Sequence, residues 1–181
     1  MFIRIKKIQQ KPYAYLVKNT WTTLGPRQKV AKYLGKVVKF EKSTALSFEA
    51  YVFEEYKKEL ANYLLNVSFK QFVSDLMAVE LIAHGFRKEK ELLSNKDCVV
   101  DLDSADVFSA KDKSPAVFQM NEGFLCATSF RKLQNFKPKK NQFDSEIGYE
   151  LGERCISAGL DIKKDLFIAL YTRATRNRSV I

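Results

Sequence analysis

The chain contains few of the residues that build metal centres and disulfide frameworks. Its only histidine is His84, which excludes metal sites that need two imidazoles. Its three cysteines, Cys98, Cys126 and Cys155, lie 28 and 29 residues apart without a Cys-x-x-Cys pair. This spacing excludes a zinc ribbon or finger, and the odd number argues against disulfides. We therefore expect a cytoplasmic protein in which each cysteine is a small core residue.

Long apolar runs and common catalytic motifs are also missing. No uncharged run approaches the roughly 18 apolar residues of a membrane span, and the N-terminus lacks the apolar region of a signal peptide. We therefore expect no membrane partner. No G-x-x-x-x-G-K, G-x-G-x-x-G, G-x-S-x-G or H-E-x-x-H motif occurs. The sequence thus favours a protein without cofactor, metal or catalytic activity, and leaves open a catalytic site assembled from distant residues.

Acidic residues are almost absent from the first 42 positions. That segment holds eleven Lys or Arg residues and one acid, Glu41, so its balance is +10 and equals that of the whole chain. Residues 43–181 therefore balance to zero, with twenty residues of each sign. A charge confined to one short segment and interleaved with aromatic residues is typical of a surface that binds a polyanion.

The same segment has the pattern of three short strands. Residues 2–8, 13–20 and 28–38 alternate apolar or aromatic residues with polar ones, and Pro12, Gly25 and Pro26 lie in the breaks. We predict a three-stranded antiparallel meander that forms a domain of residues 1–42. In the third strand both faces mix charged and apolar residues, so the pattern does not indicate which face is exposed.

Residues 43–181 predict a second, mainly helical domain, so that the fold class is α+β. One helix is expected from Ser47 to Asn66, and another from an N-cap at Ser68 to Gly85. A short charged turn or helix is expected over 87–94, and a small strand pair is expected from 98–102 and 116–120. Further helices are expected over 126–136, from 144 or 145 to Gly159, and after Asp161, followed by a frayed tail from Arg173.

The candidate nucleic-acid contacts are the basic and aromatic residues of the meander. We expect the affinity for phosphates to come from Lys6, Lys7, Lys18, Arg27, Lys29, Lys32 and Lys36. The stacking candidates are Tyr13, Tyr15, Trp21 and Tyr33. A secondary basic cluster consists of Arg131, Lys132, Lys137, Lys139 and Lys140, and a third of Arg173, Arg176 and Arg178. The alternative is a solvated sheet whose aromatic residues pack on the helices and whose lysines protect an edge from aggregation.

Acidic residues after position 100 raise the question of a metal or catalytic site. The acids in question are Asp101, Asp103, Asp106, Asp112 and Glu122. Their spacing matches no EF-hand loop, and turns and caps are the ordinary use of such residues. A catalytic site would require at least two of Asp101, Asp103, Glu122 and His84 to converge in a pocket.

Two runs of the meander carry a family resemblance. The segment YAYLVK at 13–18, followed by RQKVAKYLG at 27–35, resembles the basic β-meander at the start of some archaeal and bacterial insertion-sequence transposases and some Fic-type proteins. Gly85, Phe86 and Arg87 after His84 do not match the histidine-proline-phenylalanine motif of Fic enzymes. The remainder is too small and too helical for the ribonuclease-H-like domain of a transposase. The resemblance therefore implies an accessory element that faces nucleic acid, without an activity.

The sequence thus predicts a prokaryotic-like nucleic-acid-binding protein for DNA or RNA. Its N-terminal sheet would contact the phosphate backbone, and its helical domain would supply stability or a partner surface. The alternative is a protein-interaction or regulatory module that docks on an acidic protein partner, without catalysis.

Overall fold

The computed structural model describes residues 1–23 and 25–176 of the chain. Within these residues it contains nine strands and six helices. The strands are β1 (Phe2–Ile8), β2 (Lys11–Thr22), β3 (Gly25–Lys39), β4 (Arg87–Glu89), β5 (Leu92–Ser94), β6 (Cys98–Asp101), β7 (Asp106–Ser109), β8 (Ala116–Met120) and β9 (Gly123–Leu125). The helices are α1 (Phe48–Tyr56), α2 (Leu60–Asn66), α3 (Phe69–Ala83), α4 (Ala127–Gln134), α5 (Asp144–Ser157) and α6 (Lys164–Thr175). The α+β class and the N-terminal antiparallel meander are confirmed.

The meander belongs to a five-stranded sheet of order β1-β2-β3-β8-β9. Strand β3 runs parallel to β8, with Lys36 opposite Ala116 and Lys39 opposite Gln119. Gly35 allows this junction, because a Cβ atom there would lie 2.1 Å from the carbonyl oxygen of Pro115. Main-chain hydrogen bonds thus join the meander to residues after position 43, and the domain boundary at residue 42 stays a prediction.

The second sheet has four antiparallel strands in the order β4-β5-β6-β7. The predicted strands at 98–102 and 116–120 are present as β6 and β8, but they lie in different sheets and do not pair with each other. Residues 87–94 form the hairpin of β4 and β5 instead of a charged turn or helix. Three-residue strands are too short for alternation to show in a sequence, so pairing with β6 determines their structure.

The predicted cap of α3 is confirmed, whereas α5 and α6 begin after Phe143 and Lys163 and not after the caps expected at 144 or 145 and at Asp161. Ser68 accepts a hydrogen bond from the Gln71 amide at the start of α3, and Gly85, with a φ of +85°, follows its end. The helix expected over 47–66 is divided into α1 and α2 by Lys57, whose φ is 53°. Helix α6 extends to Thr175, so the predicted frayed tail does not begin at Arg173; residues 177–181 lie outside the described part.

The core lies between the helices and both sheets, and a smaller cluster lies under the meander. Ala14, Leu16 and Leu34 pack in this smaller cluster with Val117 and Cys126. All three cysteines are free and buried, as predicted, and burial raises the pKa of Cys98 and Cys155 to about 12. Among the described residues, no helix has the length and apolar character needed to cross a membrane.

Candidate nucleic-acid interface

Strand register determines which face of the meander turns toward the body of the protein. Directly paired residues of neighbouring strands point to the same side of a sheet. Ala14 and Leu16 are buried, so their side is the inner face, whereas Tyr15 lies on the outer face with its partners Arg4 and Tyr33. The register of β2 with β3 shifts twice, after Ala14 and after Leu16. These β-bulges explain why simple alternation along the third strand did not reveal the exposed face.

The distal part of the meander is a two-stranded ribbon, which we call the β-arm. Strand β1 pairs with β2 only between Lys11 and Val17, so residues 18–22 pair with residues 25–29 alone. Trp21 lies near the end of the ribbon opposite Pro26, and 84% of its surface is exposed. The β-arm therefore extends beyond the three-stranded part of the sheet and places the single tryptophan in solvent.

One side of the β-arm, together with the adjoining part of β3, carries four cations that we call the basic face. Lys18 lies directly opposite Lys29, Thr20 lies opposite Arg27, and Leu16 lies opposite Lys32. The basic face consists of Lys18, Arg27, Lys29 and Lys32, all of them exposed. Like charges placed opposite each other destabilise a sheet. Glu41, the one acid of the first 42 residues, pairs with Lys39 at 2.6 Å, so the basic face has no acidic neighbour within its own segment.

The outer face of the meander carries three tyrosines that pack on one another, which we call the tyrosine cluster. The ring centroid of Tyr33 lies 6.4 Å from that of Tyr13 and 5.4 Å from that of Tyr15. The Lys6 amino group lies 5.4 Å from the Tyr15 ring centroid, and Lys36 lies opposite Tyr13. Tyr33 is 44% exposed, whereas Tyr13 and Tyr15 are half-buried. The mutual packing leaves these rings less open to a nucleobase than the Trp21 indole.

The predicted contact residues are therefore distributed over two faces. The basic face holds four of them, and the outer face holds Lys6, Lys36 and the tyrosine cluster. Lys7 lies opposite Pro12 near the β1–β2 turn, at the opposite end of β2 from Trp21. Sequence reasoning did not single out Arg4, which donates a hydrogen bond to the Gln28 side chain from two strands away. Only the register brings these two residues together.

The secondary basic cluster is split by the fold. Arg131 forms an ion pair with Asp106 and donates to the Ser104 carbonyl at 3.1 Å. Lys139 lines a groove along α5 with three glutamates, including Glu146 and Glu150. Lys132 lines a different cleft, which includes Phe2 and Leu16 of the meander, and Lys137 and Lys140 are exposed in the loop after α4. Of the third cluster, Arg173 donates to the Leu64 carbonyl, and Arg178 lies outside the described residues.

The acids of residues 101–122 and His84 do not converge. Asp101 accepts hydrogen bonds from the amides of Asp103 and Ser104, and Asp103 pairs with Lys70 at 2.9 Å. His84 is buried and lies beside Glu80 of α3, with 3.4 Å between its Nδ1 and the carboxylate. In the part of the chain that the structure describes, no three His, Cys, Asp or Glu residues are placed to hold a metal ion.

A buried polar cluster around Asp75 was not predicted from the sequence. Asp75 is 1% exposed and accepts hydrogen bonds from the hydroxyls of Tyr51, Tyr56 and Tyr63 and from the side-chain amide of Gln71. Burial, followed by the negative charge of Asp75 and hydrogen bonding to it, raises the pKa of all three tyrosines above the usual 10.0. This cluster connects α1, α2 and α3. Its indication in the sequence is Asp75, an acid within the apolar stripe of α3.

Comparison with known proteins does not identify a family for this chain. No protein-family model, curated protein or solved structure matches the chain. The resemblance of the meander to the start of insertion-sequence transposases and Fic-type proteins therefore stays a prediction, and the function is argued from the site itself.

Proposed function

We propose that this protein binds nucleic acid through the β-arm, with the basic face contacting the phosphate backbone. The observation that carries the proposal is the pairing of Lys18 with Lys29 on one side of an exposed ribbon, beside Arg27 and Lys32. Two lysines opposite each other without an acid do not stabilise a fold, whereas a bound polyanion would neutralise both charges.

The shape of the β-arm supports the same function. A two-stranded β-ribbon is narrow enough to enter the major groove of a DNA duplex, which is about 12 Å wide. The exposed Trp21 indole near the end of the arm is available to stack on a base or to act as an apolar wedge. Phosphate contacts by the basic face would position the arm, and Trp21 would add contact area where the arm ends.

The test is the salt dependence of binding to a mixed-sequence oligonucleotide pool, measured by fluorescence anisotropy. Four phosphate contacts predict that log Kobs falls with log salt with a slope of about −3.6 for duplex DNA. A variant with Lys18→Glu, Lys29→Glu and Lys32→Glu, all on the basic face, should bind much more weakly while retaining its circular dichroism spectrum. The matched control is Lys58→Glu, Lys96→Glu and Lys164→Glu, which changes the net charge equally at exposed lysines outside the meander.

Three results would count against the proposal. Absence of binding at about 50 mM salt, where phosphate contacts are strong, would refute the proposal. Equal weakening by the control variant would show that net charge, and not the β-arm, determines binding. A complex from cell extract that survives nuclease treatment, combined with no binding to purified oligonucleotide, would instead favour an acidic protein partner.

A further inference from the structure

A cleft lies where the meander meets the rest of the protein, and we call it the basic cleft. Its volume is about 290 Å³. It lies between β3, the β7–β8 connection and the start of α4. The residues that matter to its chemistry are Lys32, Asp106, Phe108, Lys113, Thr128 and Arg131. Sequence reasoning did not connect these residues, because they come from three segments that are far apart along the chain.

The lining of the basic cleft has an excess of positive charge. Lys32, Lys113 and Arg131 face one carboxylate, Asp106, and that carboxylate is already paired with Arg131. The Lys113 amino group lies 4.9 Å from the ring centroid of Phe108, and the ion pairs of the described residues include neither Lys113 nor Lys32. Neither of these two lining lysines therefore has an ion-pair partner within the described part of the chain.

The neighbouring acid of the β7–β8 connection makes its hydrogen bonds within its own turn. Asp112 accepts hydrogen bonds from the Ser114 hydroxyl at 2.7 Å and from the Ser114 amide at 3.1 Å. These hydrogen bonds lower the pKa of Asp112, and the one from the Ser114 hydroxyl has the largest effect. The carboxylate is therefore held within its own turn, and its residue does not line the cleft.

The start of α4 borders the same cleft. Ala127 and Thr128 are the first two residues of this helix, and both line the cleft. Amide groups in the first turn of a helix have no partner within the helix and favour an anion. The cationic side chains and the position of this helix start both favour a small negatively charged ligand.

We propose that the basic cleft binds one phosphate group of the nucleic-acid backbone that follows the basic face of the β-arm. Lys32 connects the two surfaces, because it belongs to the basic face and also lines the cleft. A strand of nucleic acid that contacts Lys18 and Lys29 would thus reach Lys113 and Arg131 on the body of the protein. This inference rests on the proposed function and extends the interface beyond the meander.

The test compares two lysines of the same turn in the full chain. Lys113→Glu should lower the affinity for the oligonucleotide pool about tenfold and reduce the salt slope by about one, since a charge-assisted contact to phosphate is lost. Lys111→Glu, an equal charge change at an exposed residue outside the cleft lining, should lower the affinity less than twofold. Circular dichroism and thermal unfolding of both variants serve as the check that they are folded.

A second measurement separates a backbone phosphate from free phosphate. In ¹⁵N-labelled protein, the Ala127 and Thr128 amide signals should shift on addition of a short oligonucleotide, and Lys113→Glu should abolish the shift. Equal affinities of the Lys111→Glu and Lys113→Glu variants would overturn the inference while leaving binding by the β-arm intact. If inorganic phosphate moves these signals but the wild-type protein binds no oligonucleotide, the proposed function and the nucleic-acid ligand of the cleft both fail. If neither probe moves them, the cleft binds no phosphate.

Discussion

Lys18 and Lys29 lie directly opposite each other on β2 and β3, on the same side of an exposed ribbon. Two like charges in this position destabilise the ribbon, and the only acid of the first 42 residues is paired elsewhere. A local cost of this kind is typical of a surface that functions with a ligand of opposite charge. The two charges therefore lower the stability of the β-arm and at the same time favour the binding of a polyanion.

Lys18→Glu should increase stability and decrease binding. The substitution replaces a repulsive cross-strand pair with an attractive one, which is worth about 0.2–1 kcal/mol in the free energy of unfolding. It also removes one cation from the basic face, so affinity for nucleic acid should fall. Denaturant unfolding and anisotropy, measured on the same preparation, check the two effects.

The double variant Lys18→Glu, Lys29→Glu is the control for this prediction. It restores a pair of like charges, so the gain in stability should disappear, whereas binding should fall further than in the single variant. A double variant that is as stable as Lys18→Glu would show that cross-strand repulsion does not matter here.

Trp21 should report directly on binding by the β-arm. It is the only tryptophan and is 84% exposed, so the intrinsic tryptophan fluorescence of the protein comes from the end of the arm. Nucleic acid that stacks on the indole should quench this emission, and Trp21→Ala should weaken binding by about 1–3 kcal/mol with little effect on unfolding. Unchanged emission on saturation with oligonucleotide would exclude contact at this residue.

Gly35→Ala should disrupt the junction of the meander with β8. Gly35 has a φ of +133°, and a Cβ atom there would lie 2.1 Å from a backbone oxygen of Pro115 that has no freedom to rotate away. The loss of stability should exceed the roughly 1–2 kcal/mol of left-handed strain alone, because β3 and β8 must also separate. Thermal unfolding measures this loss.

Gly25→Ala is the matched control for the junction. Gly25 also has a positive φ, +96°, but its added Cβ atom would meet nothing within 4 Å. Its substitution should therefore cost only the conformational strain. Equal destabilisation by the two variants would mean that the contact with Pro115 is unimportant.

The tyrosines around Asp75 predict a loss of stability at high pH. The pKa of each phenol is raised in the folded state, so the folded protein holds these protons more tightly than the unfolded chain does. Their contribution is complete below the unfolded value of about 10 and is lost as pH rises above it. Tyrosinate absorbance should show Tyr51, Tyr56 and Tyr63 ionising only together with unfolding. Early titration of all three in folded protein would contradict the assignment.

The segments with strong local signals were predicted well. The first strand was expected at 2–8 and is observed there, and α3 begins after its predicted cap at Ser68. The hairpin β4–β5 and the break at Lys57 were missed. Three-residue strands carry no periodicity, and no local pattern distinguishes one long helix from two short ones that both pack on α3.

The sequence by itself determined the α+β class, the basic meander and the confinement of the net charge to its first 42 residues. These follow from composition and alternation, which are local properties of the chain. Only the tertiary structure decided the exposed face of the meander, because two register shifts between β2 and β3 break the alternation. It also decided that Lys18 and Lys29 face each other and that Lys113 and Arg131 lie beside Lys32. Strand pairing and packing set those contacts between residues far apart in sequence, and no local pattern encodes them.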